Sequence, residues 1–263
     1  MSKSRQVWLA LVKQYSSCVQ PKSLWLEKPL DLHTSAELEQ LLLRWKSVKA
    51  GWAVNRPNEP VLHQRHFFVE DMQRHSAYLV KGGRWLLVGT RSGTVLYYDL
   101  NAPIITPSLL VGLQPCNYEH VRELKISVDV DLDAEPLTFY LAVLSRRSVL
   151  KQLPLRNSHR WIQVWRVTSD IGTDGHVKGL ITELVSSFRE ESESLCFSFN
   201  IRGRYVAYQL FYSPSQVSLY NDGHRVVVVD WTTMCTTTSL DYTRKIIPCA
   251  SASVSFILIL IHS

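Results

Sequence analysis

Gly83-Arg84-Trp85-Leu86-Leu87-Val88-Gly89-Thr90, Arg91-Ser92-Gly93 and Thr94-Val95-Leu96-Tyr97-Tyr98-Asp99-Leu100 form one continuous stretch. Two runs of aliphatic and aromatic residues flank a short turn containing glycine, the signature of a β-hairpin. The arrangement returns at Gly203-Arg204-Tyr205-Val206-Ala207-Tyr208-Gln209-Leu210, followed after a longer insert by Asn221-Asp222-Gly223 and His224-Arg225-Val226-Val227-Val228-Val229-Asp230-Trp231. Each copy runs Gly-Arg-aromatic-apolar, passes a turn with glycine, and closes on Asp and a large apolar residue. The two read as repeats of one structural element.

Between the repeats, Ile126, Val128, Val130 and Leu132 alternate with Ser127, Asp129, Asp131 and Asp133. That period of two predicts a strand with one solvated side. Thr138 to Leu144 and Trp161 to Val167 supply further strands. Antiparallel units of roughly forty residues, each with a strand ending on Asp, predict propeller-like blades. A complete ring takes at least about four blades, and about 188 residues follow residue 75, so an incomplete or small ring is expected. The run Val254-Ser255-Phe256-Ile257-Leu258-Ile259-Leu260-Ile261 is far too short to cross a bilayer and reads as a buried strand.

Upstream the pattern changes. Val7, Trp8, Leu11, Val12 and Tyr15 recur at offsets of three and four and lie on one side of a short helix. Thr34 followed by Glu37 reads as a capping box, with Leu38, Leu41, Leu42 and Trp45 as the apolar stripe of a second helix. The prolines of Asn55-Arg56-Pro57-Asn58-Glu59-Pro60 end this region. The expected organisation is a helical segment over 1–56, a linker over 57–75 and a β-rich region over 76–263. The fold class is mainly β with a small N-terminal helical part, its β region made of incomplete or divergent propeller-like repeats of antiparallel sheets.

Composition narrows the function. Of 263 residues, 46% are hydrophobic, including eight Trp, eleven Tyr and eight Phe; these demand burial and exclude a disordered or fibrous chain. The net charge is +6, from 29 basic and 23 acidic residues, too thinly spread for a dedicated nucleic-acid arm. Arg44, Trp45, Lys46, Lys49, Trp52 and Arg56 interleave charge with aromatic rings, but Trp45 belongs to the helical stripe, so a core role is expected and no nucleic-acid partner. No run of eighteen apolar residues offers a membrane span. Five widely spaced cysteines, no N-glycosylation sequon and no hydrophobic leader at the start predict free thiols in an intracellular, cytoplasmic or nuclear setting.

Candidate chemistry is sparse. Asp129, Asp131 and Asp133 have the spacing of the first calcium ligands of an EF-hand, but Ala134 stands where Gly is needed and Tyr140 where a bidentate Glu is needed. A solvated strand face is expected there. His63, His66 and His75 lack a Cys pair or an intervening Glu for zinc. Glu190 and Glu191 fall in the charged stretch from Arg189 to Glu193, expected to be a solvated loop. No nucleophile elbow, phosphate loop or dinucleotide fingerprint occurs. The chain is therefore expected to be non-enzymatic, with no catalytic residue, metal or cofactor.

The order of the pieces adds a resemblance. Arg5-Gln6-Val7-Trp8-Leu9, Pro29-Leu30-Asp31-Leu32, Thr34-Ser35-Ala36-Glu37-Leu38-Glu39 and Leu43-Arg44-Trp45-Lys46, then Gly83 to Thr90 and Tyr98-Asp99-Leu100, resemble the F-box domain-containing proteins expanded in mushroom-forming (basidiomycete) fungi. It spans about residues 5–100. The Leu-Pro helix and the Leu-rich second helix that open an F-box do not precede Arg5, so the match is to the later part of that domain. The resemblance implies a substrate-recognition subunit of a Skp–cullin–F-box ubiquitin ligase, acting in ubiquitin-dependent degradation. Its helical part would meet the Skp adaptor, through Val7, Trp8, Leu11, Val12 and Tyr15, and its β region would present a client protein. The alternatives are a propeller-type enzyme such as a glycosidase, whose two carboxylates would converge from separate blades, and a degenerate paralogue without activity.

Overall fold

A computed structural model describes residues 4–18, 26–51, 72–112, 121–131, 133–147, 159–191, 195–211, 224–234 and 244–248. The run at Val254–Ile261 and residues 57–71 of the expected 57–75 linker, His63 and His66 among them, lie outside the described residues. The chain divides into two compact units. One holds Met1–Phe68, Leu132–Thr138 and Ser169–Gly179, the other Val69–Asp131, Phe139–Thr168 and Leu180–Ser263.

In the first unit, helix α1 (Arg5–Cys18) and helix α2 (Ser35–Gly51) are separated by a 3-10 turn at Leu30–Leu32. The capping box predicted for α2 is formed. The Glu37 N–H donates to Thr34 Oγ1 at 3.3 Å, and the Thr34 N–H donates to Glu37 Oε2 at 2.7 Å, which satisfies two donors that a helix start leaves orphaned. Arg5 donates to the carbonyls of His33 (2.9 Å), Asp31 (2.8 Å) and Leu30 (3.3 Å) just ahead of α2. Further along both helices Tyr15 stacks on Trp45 at 6.2 Å. The helices thus run side by side in the same sense, over a core of Val12, Leu38 and Leu42.

The remaining strands make three four-stranded antiparallel sheets, each in simple up-and-down order. The first contains β1 (Met72–Leu79), β2 (Trp85–Thr90), β3 (Val95–Asp99) and β4 (Pro107–Val111). The second contains β5 (Val121–Val130), β6 (Thr138–Arg147), β7 (His159–Ile171) and β8 (Val177–Glu191). The third contains β9 (Leu195–Arg202), β10 (Tyr205–Phe211), β11 (His224–Asp230) and β12 (Arg244–Pro248). The strands read from sequence at 85–100, 126–130, 138–144, 161–167, 205–210 and 224–230 are present. The first strands lie in series, with β1 beside β5 and β5 beside β9.

The repeat is now explicit. Trp85 pairs with Asp99 in the first sheet and Tyr205 with Asp230 in the third. Arg84 forks onto Asp99, Nε to Oδ1 at 3.0 Å and Nη2 to Oδ2 at 2.7 Å, while the Leu100 N–H returns to the Arg84 carbonyl at 2.8 Å. Arg204 meets Asp230 Oδ2 through Nε at 2.7 Å and through Nη2, and the Trp231 N–H returns to the Arg204 carbonyl at 3.1 Å. Each guanidinium also covers the next ring, Arg84 over Trp85 at 4.4 Å and Arg204 over Tyr205 at 5.3 Å. The preceding Gly83 has φ +78 with open space around it; its left-handed backbone is the reason for glycine.

The second sheet has the same backbone bond without the ion pair. The Ser169 N–H donates to the Leu137 carbonyl at 3.1 Å, which puts Leu137 where the other sheets have Arg and Thr168 where they have Asp. Asp99 and Asp230 end their strands by accepting the N–H two residues on, from Asn101 at 2.9 Å and Thr232 at 3.1 Å. With Thr168 in that place, β7 runs on to Ile171 and its hairpin with β8 is longer.

The first and second sheets approach closely at Gly89, where an added Cβ would lie 2.4 Å from Leu124 Cδ2 and 2.8 Å from Ser76 Cβ. There the Ser76 hydroxyl donates to the Leu124 carbonyl at 2.5 Å. Gly89→Ala is expected to lower unfolding stability by about 1–3 kcal/mol through overpacking, read as a lower urea midpoint; an unchanged midpoint would show that the sheets part freely.

Candidate functional site

The five residues singled out on α1 separate into two groups. Val12 is fully buried against α2, and Trp8 and Tyr15 are half-buried around it. Val7 and Leu11, one helical turn apart, remain 43% and 38% exposed. The stripe therefore joins α1 to α2 along one edge and offers Val7 and Leu11 along the other. Trp45 is part of this helical core, and its ring faces Tyr15 rather than an open surface.

β5 carries the second site. Its alternation was expected to leave Ser127 and Asp129 facing water, and the structure corrects this. Ser127 is buried; its hydroxyl donates to Asn200 Oδ1 at 2.9 Å and accepts the Ile201 N–H at 3.1 Å. Asp129 accepts the Gly203 N–H at 2.6 Å and Arg202 Nη1 at 3.3 Å. Lys125 donates to the Phe197 carbonyl at 2.8 Å. The polar side of β5 is a seam with the third sheet, and Asp129 is committed to backbone and guanidinium. No group of three or more metal-ligating side chains occurs among the described residues.

The seam ends in buried charge that sequence reasoning missed. Glu123 pairs in register with Arg146 of β6, and Arg146, Arg160 of β7 and Glu190 of β8 are all buried. Burial pushes the Glu123 carboxyl above its usual range, although Arg160, Lys125 and Arg146 pull it down. Burial, with Glu123 nearby, pushes the free Cys196 thiol up to about 12, so it stays protonated and unreactive at neutral pH. The expected loop at Arg189–Glu193 is likewise corrected: β8 continues through Glu191, and Glu190, 2% exposed, lies among these groups. A run of charges in sequence gives no sign of this, because the partners come from other strands.

At the turns, the carboxylates of Asp99 and Asp230 are held below their usual range. Burial opposes this, but Arg84 and the Asn101 N–H outweigh it at Asp99, and Thr232 and Arg204 outweigh it at Asp230. Among the described residues no helix is long and apolar enough to cross a membrane. Comparison with family models, with curated proteins and with solved structures returns no match to this chain.

Two outcomes follow from these contacts. Ser127→Ala removes the acceptor of a buried N–H and is expected to destabilise the chain by about 1–3 kcal/mol; a change under about 0.5 kcal/mol in urea unfolding would show the seam to be dispensable. At Glu37, burial raises the carboxyl, but Thr34 and Lys28 outweigh it and bring it from 4.5 to about 2. Its contribution to stability is present above pH 4.5 and is lost as pH falls through 2. Glu37→Gln should flatten that part of the stability–pH curve, and an unaltered curve would exclude Glu37 as its source.

Proposed function

We propose that this chain is a non-enzymatic protein-recognition module, the substrate-recognition part of a Skp–cullin–F-box type ubiquitin ligase. In this reading the three sheets are successive blades of an open propeller whose turns and rims select a client protein. The helical unit meets the Skp adaptor.

The observation that carries the reading is the repeated Gly-Arg-aromatic turn with its Arg–Asp ion pair, set in sheets whose first strands lie one beside the next. Such a scaffold holds its turns rigidly while leaving their outer side chains free to vary. The polar groups that hold it are committed internally, which favours recognition by surface over chemistry by reactive groups. Val7 and Leu11 give the helices an apolar edge of the kind that buries against a partner helix.

The test is capture of a purified Skp adaptor by the full chain. The pair Val7→Asp and Leu11→Asp should weaken capture by at least about tenfold while leaving the circular-dichroism spectrum unchanged. Absence of adaptor binding by the unaltered chain would reject the ligase role, and equal binding by the charged variant would reject this edge as the contact.

A further inference from the structure

Lys28 is the one buried lysine among the described residues, 7% exposed. Its ammonium donates to Glu37 Oε1 at 2.9 Å and to the Gly175 carbonyl at 3.0 Å, across 147 positions of sequence. Glu37 is the residue that closes the capping box of α2. Gly175 sits in the turn between β7 and β8, with φ +73. That turn is closed by its own bonds: the Gly172 N–H to the His176 carbonyl at 2.8 Å, the Gly175 N–H to the Gly172 carbonyl at 2.9 Å, and the His176 N–H to Asp174 Oδ1 at 3.0 Å. The Gly175 carbonyl is left to accept the ammonium. A Cβ on Gly175 would lie 3.8 Å from the Leu32 carbonyl, so the hairpin turn also touches the 3-10 turn ahead of α2.

We propose that Lys28 is a positioning residue that makes the β7–β8 turn a working part of the helical docking surface, so that Val7 and Leu11 are correctly presented only while this clasp is closed. The docking half of the statement rests on the adaptor-binding reading above. The physical chain has three steps. Lys28 fixes Glu37 and with it the first turn of α2. The segment Leu30–His33, between Lys28 and α2, supplies all three carbonyls that hold Arg5 at the start of α1. The orientation of α1, and so of Val7 and Leu11, therefore follows from a segment that Lys28 ties to the hairpin. A buried ammonium makes a stringent tie, because removing its partners or its charge leaves buried polar groups unmatched.

The experiment compares hydrogen exchange and adaptor affinity for the full chain, for Lys28→Met and for Lys28→Arg. Lys28→Met keeps the apolar stem and removes the donors. It should speed exchange at 26–37 and at 172–176 together, leave β9–β11 unchanged, and weaken the purified Skp adaptor by about tenfold or more. Lys28→Arg, which retains donors and charge, should restore both. Unchanged exchange at 172–176 in Lys28→Met would overturn the clasp. Faster exchange there with unaltered adaptor affinity would overturn the positioning role. An unaltered chain that fails to bind the adaptor would overturn the docking half together with the ligase reading, while the exchange data would still decide the clasp.

Discussion

The arrangement of the β unit depends on β5 having two chemically different sides. Leu124 on one side sits against Gly89 and Ser76 of the first sheet. Lys125, Ser127 and Asp129 on the other side bond to β9 and to the turn after it. Apolar contact is forgiving about register, whereas each hydrogen bond of the seam needs its partner within about 3 Å. The Ser127 hydroxyl is the most constrained, since it donates to Asn200 and accepts from Ile201 at once. A shift of β9 by one residue would turn the opposite set of side chains toward β5. The seam thus fixes register where hydrophobic packing alone would leave it loose.

The Arg–Asp pair does a related task within a sheet. In the first and third sheets it joins the start of the second strand to the end of the third, and the same carboxylate caps the following turn. These strands stop there. The second sheet keeps the backbone bond between Ser169 and Leu137 but has no carboxylate at Thr168, and its third strand continues. With both members of the ion pair replaced, by Leu137 and Thr168, the third strand runs on into a longer hairpin whose tip carries the Gly175 carbonyl bound by Lys28.

Much of this was legible because it is local. The hairpin at Arg84–Leu100, its counterpart at Arg204–Trp231 and the Thr34–Glu37 box all follow from residues close in sequence. What was hidden depends on distant partners. Alternation on β5 identifies a polar side but not what lies against it, so a seam and a wetted face give the same pattern. Glu190 looks like part of a solvated charge run because Arg160 and Cys196 lie on other strands. Lys28 sits in an unremarkable connecting segment, and its carbonyl partner is 147 positions away. The α1 stripe shows the intermediate case: periodicity puts Val7, Trp8, Leu11, Val12 and Tyr15 on one side, but only the position of α2 divides that side into a packed edge and an open one.

The buried charges bear on how the second sheet is held. Glu123, Arg146, Arg160 and Glu190 come from four consecutive strands of the second sheet, and the burial that raises Glu123 also raises Cys196. Perturbed carboxyls and thiols often mark reactive sites, but a nucleophile needs its thiolate, and this environment suppresses it. A buried set of opposite charges is sensitive to the loss of any member, because each one left behind is a desolvated charge without its counterpart. That sensitivity specifies one packing of the strands. The same side chains are thereby withheld from solvent, whereas Val7 and Leu11 of α1 stay exposed.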